Sequence, residues 1–408
     1  MILVINCGSS SLKYELFQMK DEVSLASGLC ERVGINGGAD SKLKHSAGGR
    51  TMEKNAPMPD HGTALRHVVE ALVDSEFGVI TDLSDIKACG HRVLHGGSKV
   101  TESVVVTDEV IKVIEEMSVL GPLHNPANLS GINACMKLLP GTPQVAVFDT
   151  AFHQTMPRHA FLYGLPYEMY EKHQIRRYGF HGTSHRYISM VASEMLEARG
   201  VPLAEQKVIT CHLGNGCSMA AIKAGKVQDT SMGLTPLEGL LMGTRCGDMD
   251  PAIVVYLAEK LGFTPPQMDS YMNKQSGLLG VSGLSHDMRD VMAQCETNQR
   301  AADAYEMFCY RVRKYIGAYA AALGGVDAVV YSAGIGENNP ELRAECLKGL
   351  EFLGLEIDEE VNSAPKRKDV PGWDIGKSGA ASRVLIIPTD EELMIARDTV
   401  ILLHGDVS

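Results

Sequence analysis

Short apolar runs alternate with amphipathic stretches along the whole chain. Five runs are apolar and have the length of buried strands, and they cover residues 2–6, 145–148, 208–213, 328–333 and 384–388. Six stretches carry a helical pattern, and they cover residues 62–75, 107–119, 184–199, 303–323, 340–352 and 390–403. Strands that alternate with helices are typical of an α/β protein.

One strand–turn–strand pattern occurs twice, about half a chain apart. The first apolar run enters NCGSSS (6–11) and returns as LKYELF, in which apolar and polar residues alternate. The third run enters GNGCS (214–218) and returns as MAAIK, and the glycines that open the two turns are 206 residues apart. The repeat is consistent with a duplicated domain, although two unrelated hairpins would give the same pattern.

The length of the chain predicts two domains, because 408 residues are too many for one ordinary core. The polar, Gly/Pro-rich stretch at 363–383 has the composition of a segment that returns the chain to its first domain. We therefore expect residues 1–150 and 384–408 to form an N-terminal domain, completed by the last strand and helix. Residues 151–383 would form the second domain.

Charge and cysteine usage narrow the class of protein. The formal net charge of −12 gives a mean surface field that repels nucleic acid and anionic membranes. No apolar run approaches the roughly 20 residues of a membrane helix, and the first run lacks the basic flank of a secretory signal. The ten cysteines include no C-x-x-C pair, which suits reduced thiols. These features predict a cytoplasmic protein without a nucleic-acid or membrane partner.

The common nucleotide-binding signatures are absent. GWDIGKS (372–378) is one residue too short for a Walker A loop, and the turns at 214–218 and 333–339 do not complete G-x-G-x-x-G. The turn after the first strand is a better candidate, because small residues let the backbone and hydroxyls approach a phosphate. Lys13 adds positive charge there, and Asn6 offers a neutral oxygen that suits Mg²⁺. A tight hairpin that merely needs small residues is the alternative.

Two arginines stand among glycines, Arg92 in GHRVLHGG and Arg245 in GTRCGDMDP. Such arginines can bind a phosphoryl group during its transfer, when its negative charge spreads over three oxygens. Asp149 comes just past a buried strand, where ligands gather in α/β sheets. It could orient an arginine, hold a Mg²⁺-bound water, accept a proton or only cap a helix.

The histidines of YGFHGTSH are four residues apart, a spacing that zinc ligands use on a helix. However, Gly179 and Gly182 disfavour a helix around His181, and no Glu follows it as H-E-x-x-H requires. We therefore expect His181 to donate a hydrogen bond to a phosphoryl oxygen, with a zinc pair of His181 and His185 as the alternative.

Two further motifs lie near the end of the chain. The Gly-rich turn at 333–339 joins a strand to a predicted helix and suits a nucleoside or phosphate, or is ordinary turn chemistry. Thr389 and Glu392 read as a capping box for the last helix. Glu391 is then either a first-turn acid that the helix dipole favours or a support for Mg²⁺.

Taken together, these segments resemble acetate kinases closely, in that family's order from residue 2 to about 397. The matching segments are VINCGSSSLKY, GHRVLHGG, PLHNPAN, FDTAFHQTMP, YGFHGTSH, ITCHLGNGCS, SMGLTPLEGLLMGTRCGDMDP, SGLLGVSGLS, SAGIGEN and IPTDEELMIAR. The resemblance implies two ribonuclease H-like domains of the sugar kinase/Hsp70/actin type, with the active site in the cleft between them. It also implies a homodimer that reversibly transfers a phosphoryl group between ATP and acetate, with Mg²⁺ or Mn²⁺, giving ADP and acetyl phosphate.

The resemblance assigns a role to each matching position. The implied catalytic residues are Arg92, His124, Asp149, His181 and Arg245, and the implied metal ligands are Asn6 and Glu391. The positions that would contact the nucleotide are Ser9, Ser11, Lys13, His212, Asn215, Gly216, Asp287, Arg289, Gly334, Ile335 and Asn338. The positions that would line the acyl pocket, with Arg92, are Leu94, Leu123, Phe180 and Pro236.

Two positions depart from the pattern of some relatives. Leu94 stands where others carry Val, which predicts a narrow pocket that favours acetate over longer acids. Met288 replaces an aromatic residue beside the base, which weakens the expectation of strict ATP preference. A propionate or other short-chain acyl kinase is therefore an alternative, and a nucleotide-binding regulator without turnover is another.

Overall fold

The computed structural model describes residues 1–122, 124–364 and 370–403. Its strands are β1 (Ile2–Gly8), β2 (Ser11–Gln18), β3 (Val23–Glu31), β4 (Lys42–Ala47), β5 (Arg50–Asn55), β6 (Ala88–Val93), β7 (Val104–Val105), β8 (Gln144–Phe148), β9 (Lys207–Leu213), β10 (Cys217–Lys223), β11 (Lys226–Thr230), β12 (Ala328–Ser332), β13 (Trp373–Asp374) and β14 (Arg383–Ile386). Its helices are α1 (His61–Leu72), α2 (Asp108–Glu116), α3 (Asn125–Leu138), α4 (Arg158–Phe161), α5 (Tyr167–His173), α6 (Gly182–Glu197), α7 (Ala252–Leu261), α8 (Pro265–Lys274), α9 (Gly277–Ser282), α10 (Met288–Met292), α11 (Gln299–Leu323), α12 (Ala333–Asn338), α13 (Pro340–Leu347), α14 (Glu359–Ser363) and α15 (Glu391–Leu402). None of the helices described is both long and apolar enough to span a membrane.

The chain divides into two compact units. Unit 1 contains Met1–Phe152 and the chain from Asp390 onward, and unit 2 contains His153–Thr389. The expectation that the last strand completes the first domain is wrong. Strand β14 pairs in parallel with β12, with Val384 opposite Val329, because its apolar residues need a buried place inside the second sheet. Only the last helix returns to unit 1.

Unit 1 is built on an eight-stranded sheet with the order β5-β4-β3-β2-β1-β6-β8-β7. Strands β1 and β2 form an antiparallel hairpin that closes at Gly8 and Ser11. Strands β1, β6 and β8 are parallel neighbours. Their carboxyl ends therefore lie at one edge of the sheet, which is where ligands bind in α/β proteins.

Unit 2 repeats this arrangement on a six-stranded sheet with the order β11-β10-β9-β12-β14-β13. The hairpin of β9 and β10 takes the place of β1 and β2, and β9, β12 and β14 are parallel neighbours. An antiparallel edge strand ends each sheet on that side, β7 in unit 1 and β13 in unit 2. The same strand order around both hairpins favours a duplicated domain over two unrelated hairpins.

Helices cover both faces of the sheet in unit 1. Leu3 and Ile5 of β1 pack in one core with Leu65 and Val68 of α1. The opposite face carries α15, which approaches β6 at Gly90. A Cβ built on Gly90 would lie 2.6 Å from both Cγ2 of Ile395 and Oγ1 of Thr399. Glycine is required at this position because α15 lies against the strand backbone.

This contact generates a stability prediction. We expect Gly90→Ala to lower the free energy of unfolding by about 1–3 kcal/mol, because the added methyl group overpacks the contact with α15. The measurement is the urea midpoint of each variant. Gly317→Ala is the matched control, since Gly317 lies inside α11 with no atom within 4 Å of an added Cβ. It should gain roughly 0.5–1 kcal/mol from helix propensity. Equal midpoints for the two variants would contradict the close approach of α15.

Candidate active site

The carboxyl edge of the sheet in unit 1 carries a small polar cavity of about 330 Å³. Six of the residues predicted from the sequence line it: Asn6, Ser11, Lys13, Arg92, Leu94 and His124. Ser9 lies exposed on the turn between β1 and β2 and does not line this cavity. Leu123, the fourth predicted residue of the acyl pocket, lies outside the described residues.

Arg92 is held by Asp149 through a two-point ion pair. Nε of Arg92 donates to Oδ1 at 3.0 Å, and Nη2 donates to Oδ2 at 2.7 Å. Asp149 follows β8 and is fully buried, and its backbone N–H donates to the carbonyl of Val93 at 2.9 Å. Of the roles open to Asp149 from the sequence, the geometry supports the orientation of an arginine. Nη1 of Arg92 has no partner among the described residues and remains available to an anion.

Charge around Arg92 is dense. Burial acts to lower the pKa of the Arg92 guanidinium, but Asp149 and Glu391 outweigh it and raise that pKa above its ordinary value. Glu391 lies 3.8 Å from Nε of Arg92. Burial raises the pKa of Glu391 to about 7, with Arg92 opposing the shift and Asp149 and Glu392 adding to it. A carboxylate buried near others is suited to a cation that relieves their repulsion.

The first turn of α15 differs from the predicted capping box. Asp390 is the cap, and its Oδ1 accepts from the N–H of Leu393 at 2.9 Å. Thr389 instead donates to Oγ of Ser184 at 2.8 Å. Glu392 forms an ion pair of 2.6 Å with Nζ of Lys13. The aspartate is better placed because it directly precedes the first helical residue, so Glu392 is free to hold the lysine of the first turn.

An asparagine clamp joins two strand ends in unit 1. The Asn128 side chain accepts from the N–H of Leu94 at 3.1 Å and donates to the carbonyl of Cys7 at 2.7 Å. Asn125, one turn earlier on α3, accepts from the N–H of His95 and donates to its carbonyl. Both side chains are buried. The clamp fixes the end of β1 against the segment that carries Leu94.

Unit 2 contains a larger cavity of about 780 Å³ at the carboxyl edge of its own sheet. Six predicted nucleotide-binding residues line it: Asn215, Asp287, Arg289, Gly334, Ile335 and Asn338. The rest of the lining is Gly214, His286, Met288 and Asn339. The predicted turn at 333–339 is itself a helix, α12, over its first six residues. Its N-terminus starts at the end of β12 and so faces this edge.

Asp287 and Arg289 form a local pair at the start of α10. Asp287 caps the helix by accepting from the N–H of Arg289 at 2.9 Å. It also accepts from Nε of Arg289 at 3.0 Å. The side-chain hydrogen bond from Arg289 and the helix N–H lower the pKa of Asp287 to about 2. The exposed Arg289 guanidinium is thus fixed beside the cavity.

Arg245 and His181 both face Gly216 of the second hairpin. A Cβ built on Gly216 would lie 3.5 Å from Nη1 of Arg245 and 3.7 Å from Nε2 of His181. Arg245 Nη1 also donates to the carbonyl of Pro236 at 3.0 Å. No carboxylate in the described part of the chain pairs with Arg245, and burial lowers its pKa. This half-buried, uncompensated cation is a ready site for an anion.

His181 lies at the N-cap of α6, which starts at Gly182 rather than at the predicted Ser184. Its backbone has φ of 54°, in the left-handed region, and its ring stacks on His212 with centroids 4.3 Å apart. His212 in turn bonds Oγ of Ser184 through Nδ1 at 2.7 Å. Phe180 and Pro236 of the predicted acyl pocket lie in the same unit, with Phe180 buried. No cluster of three metal-ligating side chains occurs among residues 1–122, 124–364 and 370–403.

The sequence does not predict the structural roles of four residues at these sites: Asn128, His185, Ser218 and Glu392. Asn128 lies in PLHNPAN, and an asparagine inside a helix is itself a signal, because it disfavours helix unless it bonds elsewhere. The spacing of His181 and His185 points to His185 only as a zinc ligand. The sequence predicts Glu392 as part of a capping box rather than as the partner of Lys13, and Ser218 carries no comparable signal.

The chain is similar to known proteins over nearly its whole length. The sequence profile of the acetokinase family matches residues 1–397. The acetate kinase of Caldanaerobacter subterraneus subsp. tengcongensis is 54% identical over 407 residues, which covers 99% of each chain. The crystal structure of Porphyromonas gingivalis acetate kinase superposes with a TM-score of 0.92 at 47% identity, covering 98% of this chain and 99% of that one. A propionate kinase from Francisella tularensis gives 0.88 at 40% identity, covering 97% and 98%.

The match extends over essentially the whole chain and includes both units and both hairpins. Its solved relatives have the sugar kinase/Hsp70/actin fold, in agreement with the two sheets of this structure. The chain therefore belongs to the acetokinase family.

Proposed function

We propose that this protein is a phosphotransferase that reversibly transfers the γ-phosphoryl group of ATP to acetate, giving acetyl phosphate and ADP. The observation that carries this proposal is the uncompensated Arg245, which faces Gly216 together with Nε2 of His181, in the unit that also holds the large cavity. Such donors stabilise a phosphoryl group whose charge spreads over three oxygens.

The cavity of unit 2 is suited to the nucleotide. Asp287, Arg289, Gly334, Ile335 and Asn338 would hold the nucleoside. His212, Asn215 and Gly216 would contact its phosphates, as Ser9, Ser11 and Lys13 would in the first hairpin. The buried thioether of Met288 offers an apolar surface to the base.

The metal would be Mg²⁺, with Mn²⁺ as a substitute, held by Asn6 and Glu391. Both supply oxygen, the donor that these cations prefer, and Glu391 is a carboxylate among other carboxylates. A bound Mg²⁺ would neutralise phosphate charge. Asn6 and Glu391 are too few to complete its shell, so waters and substrate oxygens would occupy the other positions.

The acyl substrate would be bound by Arg92, with Leu94, Leu123, Phe180 and Pro236 around its methyl group and His124 beside it. Asp149 occupies two donors of Arg92 and fixes the plane of the guanidinium, which leaves Nη1 for the substrate. A carboxylate is already a nucleophile, so direct in-line attack on the phosphorus needs no strong general base. Catalysis is then mainly positioning and charge neutralisation.

The net charge and one exposed helix indicate where the enzyme acts and how it assembles. The net charge of −12 supports a cytoplasmic enzyme without a nucleic-acid or membrane partner. Helix α7 exposes Ile253, Val255, Tyr256 and Leu261, with Val255 58% and Tyr256 60% exposed. Such an apolar helix surface supports a homodimer that would cover it.

The first prediction is ATP-dependent acyl phosphate formation, trapped as the hydroxamate, with acetate, propionate and butyrate compared side by side. We expect strong turnover with acetate, weaker turnover with propionate and none without a divalent metal. Preference for propionate would favour the function of the Francisella tularensis relative. If the protein binds ATP but gives no turnover with any acid, the kinase assignment fails and a nucleotide-binding regulator is the better interpretation.

Leu94→Ala is the companion variant for acyl selectivity. If Leu94 narrows the acyl pocket, the pocket should favour acetate over propionate by about 1–3 kcal/mol, because propionate is one methylene longer. Leu94→Ala should therefore raise the propionate/acetate ratio of kcat/KM roughly 10-fold or more. An unchanged ratio would show that Leu94 does not set the chain length.

Arg245→Ala should lower kcat by about 100-fold or more, on the scale of a lost oxyanion donor. ATP binding should change little, because Arg245 does not line the nucleotide cavity. Arg300→Ala is the control, since Arg300 also donates to backbone carbonyls, those of Val281 and Gly280. Near-normal kcat for Arg245→Ala, or equal losses in both variants, would contradict the role of Arg245.

The homodimer is tested by light scattering coupled to gel filtration. We expect the protein to have the mass of two chains, and Val255→Lys to shift it toward one chain because a lysine cannot be buried in an apolar contact. Val119→Lys is the matched control, since Val119 is also an exposed valine, 83% exposed, but lies in unit 1 and outside α7. Dissociation by both variants, or by neither, would exclude α7 as the contact.

A further inference from the structure

The parallel ladder between β1 and β6 ends where Ile5 lies opposite His91. On its other edge β6 pairs with β8, and there the N–H of Cys89 donates to Pro143 and the carbonyl of Val93 accepts from the residue after β8. The backbone groups of a strand alternate between its two neighbours, so the odd-numbered residues of β6 bond to β8. The N–H of residue 94, directly after β6, therefore faces β1.

The register of the ladder identifies the group that this N–H would meet. If the pairing continued, Cys7 would lie opposite Val93 and its carbonyl would accept from the N–H of Leu94. Instead, Oδ1 of Asn128 accepts from the N–H of Leu94 at 3.1 Å, and Nδ2 donates to the carbonyl of Cys7 at 2.7 Å. These partners fix which end of the amide is oxygen, because a backbone N–H only donates and a carbonyl only accepts. One side-chain amide thus takes the place of one ladder hydrogen bond and holds the strand ends apart.

The gap between the strand ends opens on the cavity of unit 1. Cys7, Leu94 and Asn128 all line that cavity, and all three are buried. On the far side of Leu94, a Cβ built on Gly121 would lie 3.1 Å from its Cδ2. Leu94 is therefore held through its backbone by Asn128 and through its side chain by the turn at Gly121. Its place in the cavity wall depends on both contacts.

A second asparagine keeps the strand ends from closing without Asn128. Oδ1 of Asn125 accepts from the N–H of His95 at 3.1 Å, and its Nδ2 donates to the carbonyl of His95 at 3.0 Å. This tie holds the segment after β6 against α3. Removal of the Asn128 amide would therefore leave the N–H of Leu94 without its acceptor, instead of letting it reach the carbonyl of Cys7.

We propose that Asn128 is a positioning residue for acyl-chain selectivity, which inserts its side-chain amide between the ends of β1 and β6 and thereby fixes Leu94 in the acyl pocket. The effect on selectivity rests on the proposed function, whereas the insertion does not. An asparagine suits this place because it offers one acceptor and one donor on a short side chain. An aspartate would turn a second acceptor toward the carbonyl of Cys7.

The first test is independent of turnover. Hydrogen exchange is measured at single residues in the wild type and in Asn128→Ala. We expect the Leu94 amide to exchange about 10-fold or more faster in the variant, because it has lost its acceptor. The Cys89 amide, which donates to Pro143 at 2.9 Å, reports any general loss of stability. An unchanged rate at Leu94, or an increase no larger than that at Cys89, would overturn the insertion.

The second test is the propionate/acetate ratio of kcat/KM. Asn128→Ala should raise this ratio about 3-fold or more, less than truncation of Leu94 itself, because the pocket is loosened and not emptied. Both acids are assayed on the same enzyme, so changes in ATP binding and in the amount of folded protein cancel. Asn362→Ala is the matched control, since Asn362 is a buried asparagine in unit 2 whose Nδ2 donates to the carbonyl of Pro340 at 3.0 Å. It should leave the ratio unchanged.

A double-mutant cycle separates action through Leu94 from a general effect on packing. Adding Asn128→Ala to Leu94→Ala should not change the ratio further, because no leucine side chain remains to be fixed. The selectivity role would be overturned by an unchanged ratio in Asn128→Ala, by an equal shift in Asn362→Ala, or by the same increase with and without Leu94.

Asn128→Asp carries the test if Asn128→Ala does not fold. It has the same size and keeps the acceptor for Leu94, but it loses the donor to Cys7. We expect it to raise the ratio about 2-fold or more, since one of the two hydrogen bonds is lost, and an unchanged ratio would again overturn the role. If the wild type turns over no acid, the kinase assignment fails, and the exchange rate of Leu94 still decides the insertion.

Discussion

The parallel pairing of β1 with β6 and β8, repeated by β9 with β12 and β14, is the constraint on which the rest of the structure depends. Parallel strands bring their carboxyl ends to one edge, so residues far apart in sequence meet there. In unit 1 this edge gathers the first hairpin, Arg92 and Asp149. In unit 2 it gathers the second hairpin and α12. The same strand topology occurs in both units, and each sheet has a polar edge that carries different functional residues.

The two arginines illustrate how differently that edge can be used. Arg92 is held by the fully buried carboxylate of Asp149, which accepts hydrogen bonds from two of its nitrogens and so fixes the plane of the guanidinium. Within the described ranges, the side chain of Arg245 donates to the carbonyl of Pro236 and the sulfur of Met242 and pairs with no carboxylate. Because Asp149 already fixes the Arg92 guanidinium, less entropy is lost when a small carboxylate binds to it. An uncompensated charge, by contrast, gains most when a more highly charged phosphoryl group arrives.

The sequence sufficed for the α/β class, the two hairpins and most residues at both edges, because each is signalled by a local pattern of glycines, a strand end or a charged residue. It did not reveal that β14 remains in the second sheet, since an apolar strand reads alike in either unit. Nor did it reveal the partners of Lys13, Leu94 and His181. Those depend on Glu392, Asn128 and Ser218, whose side chains reach across elements that only the folded chain brings together.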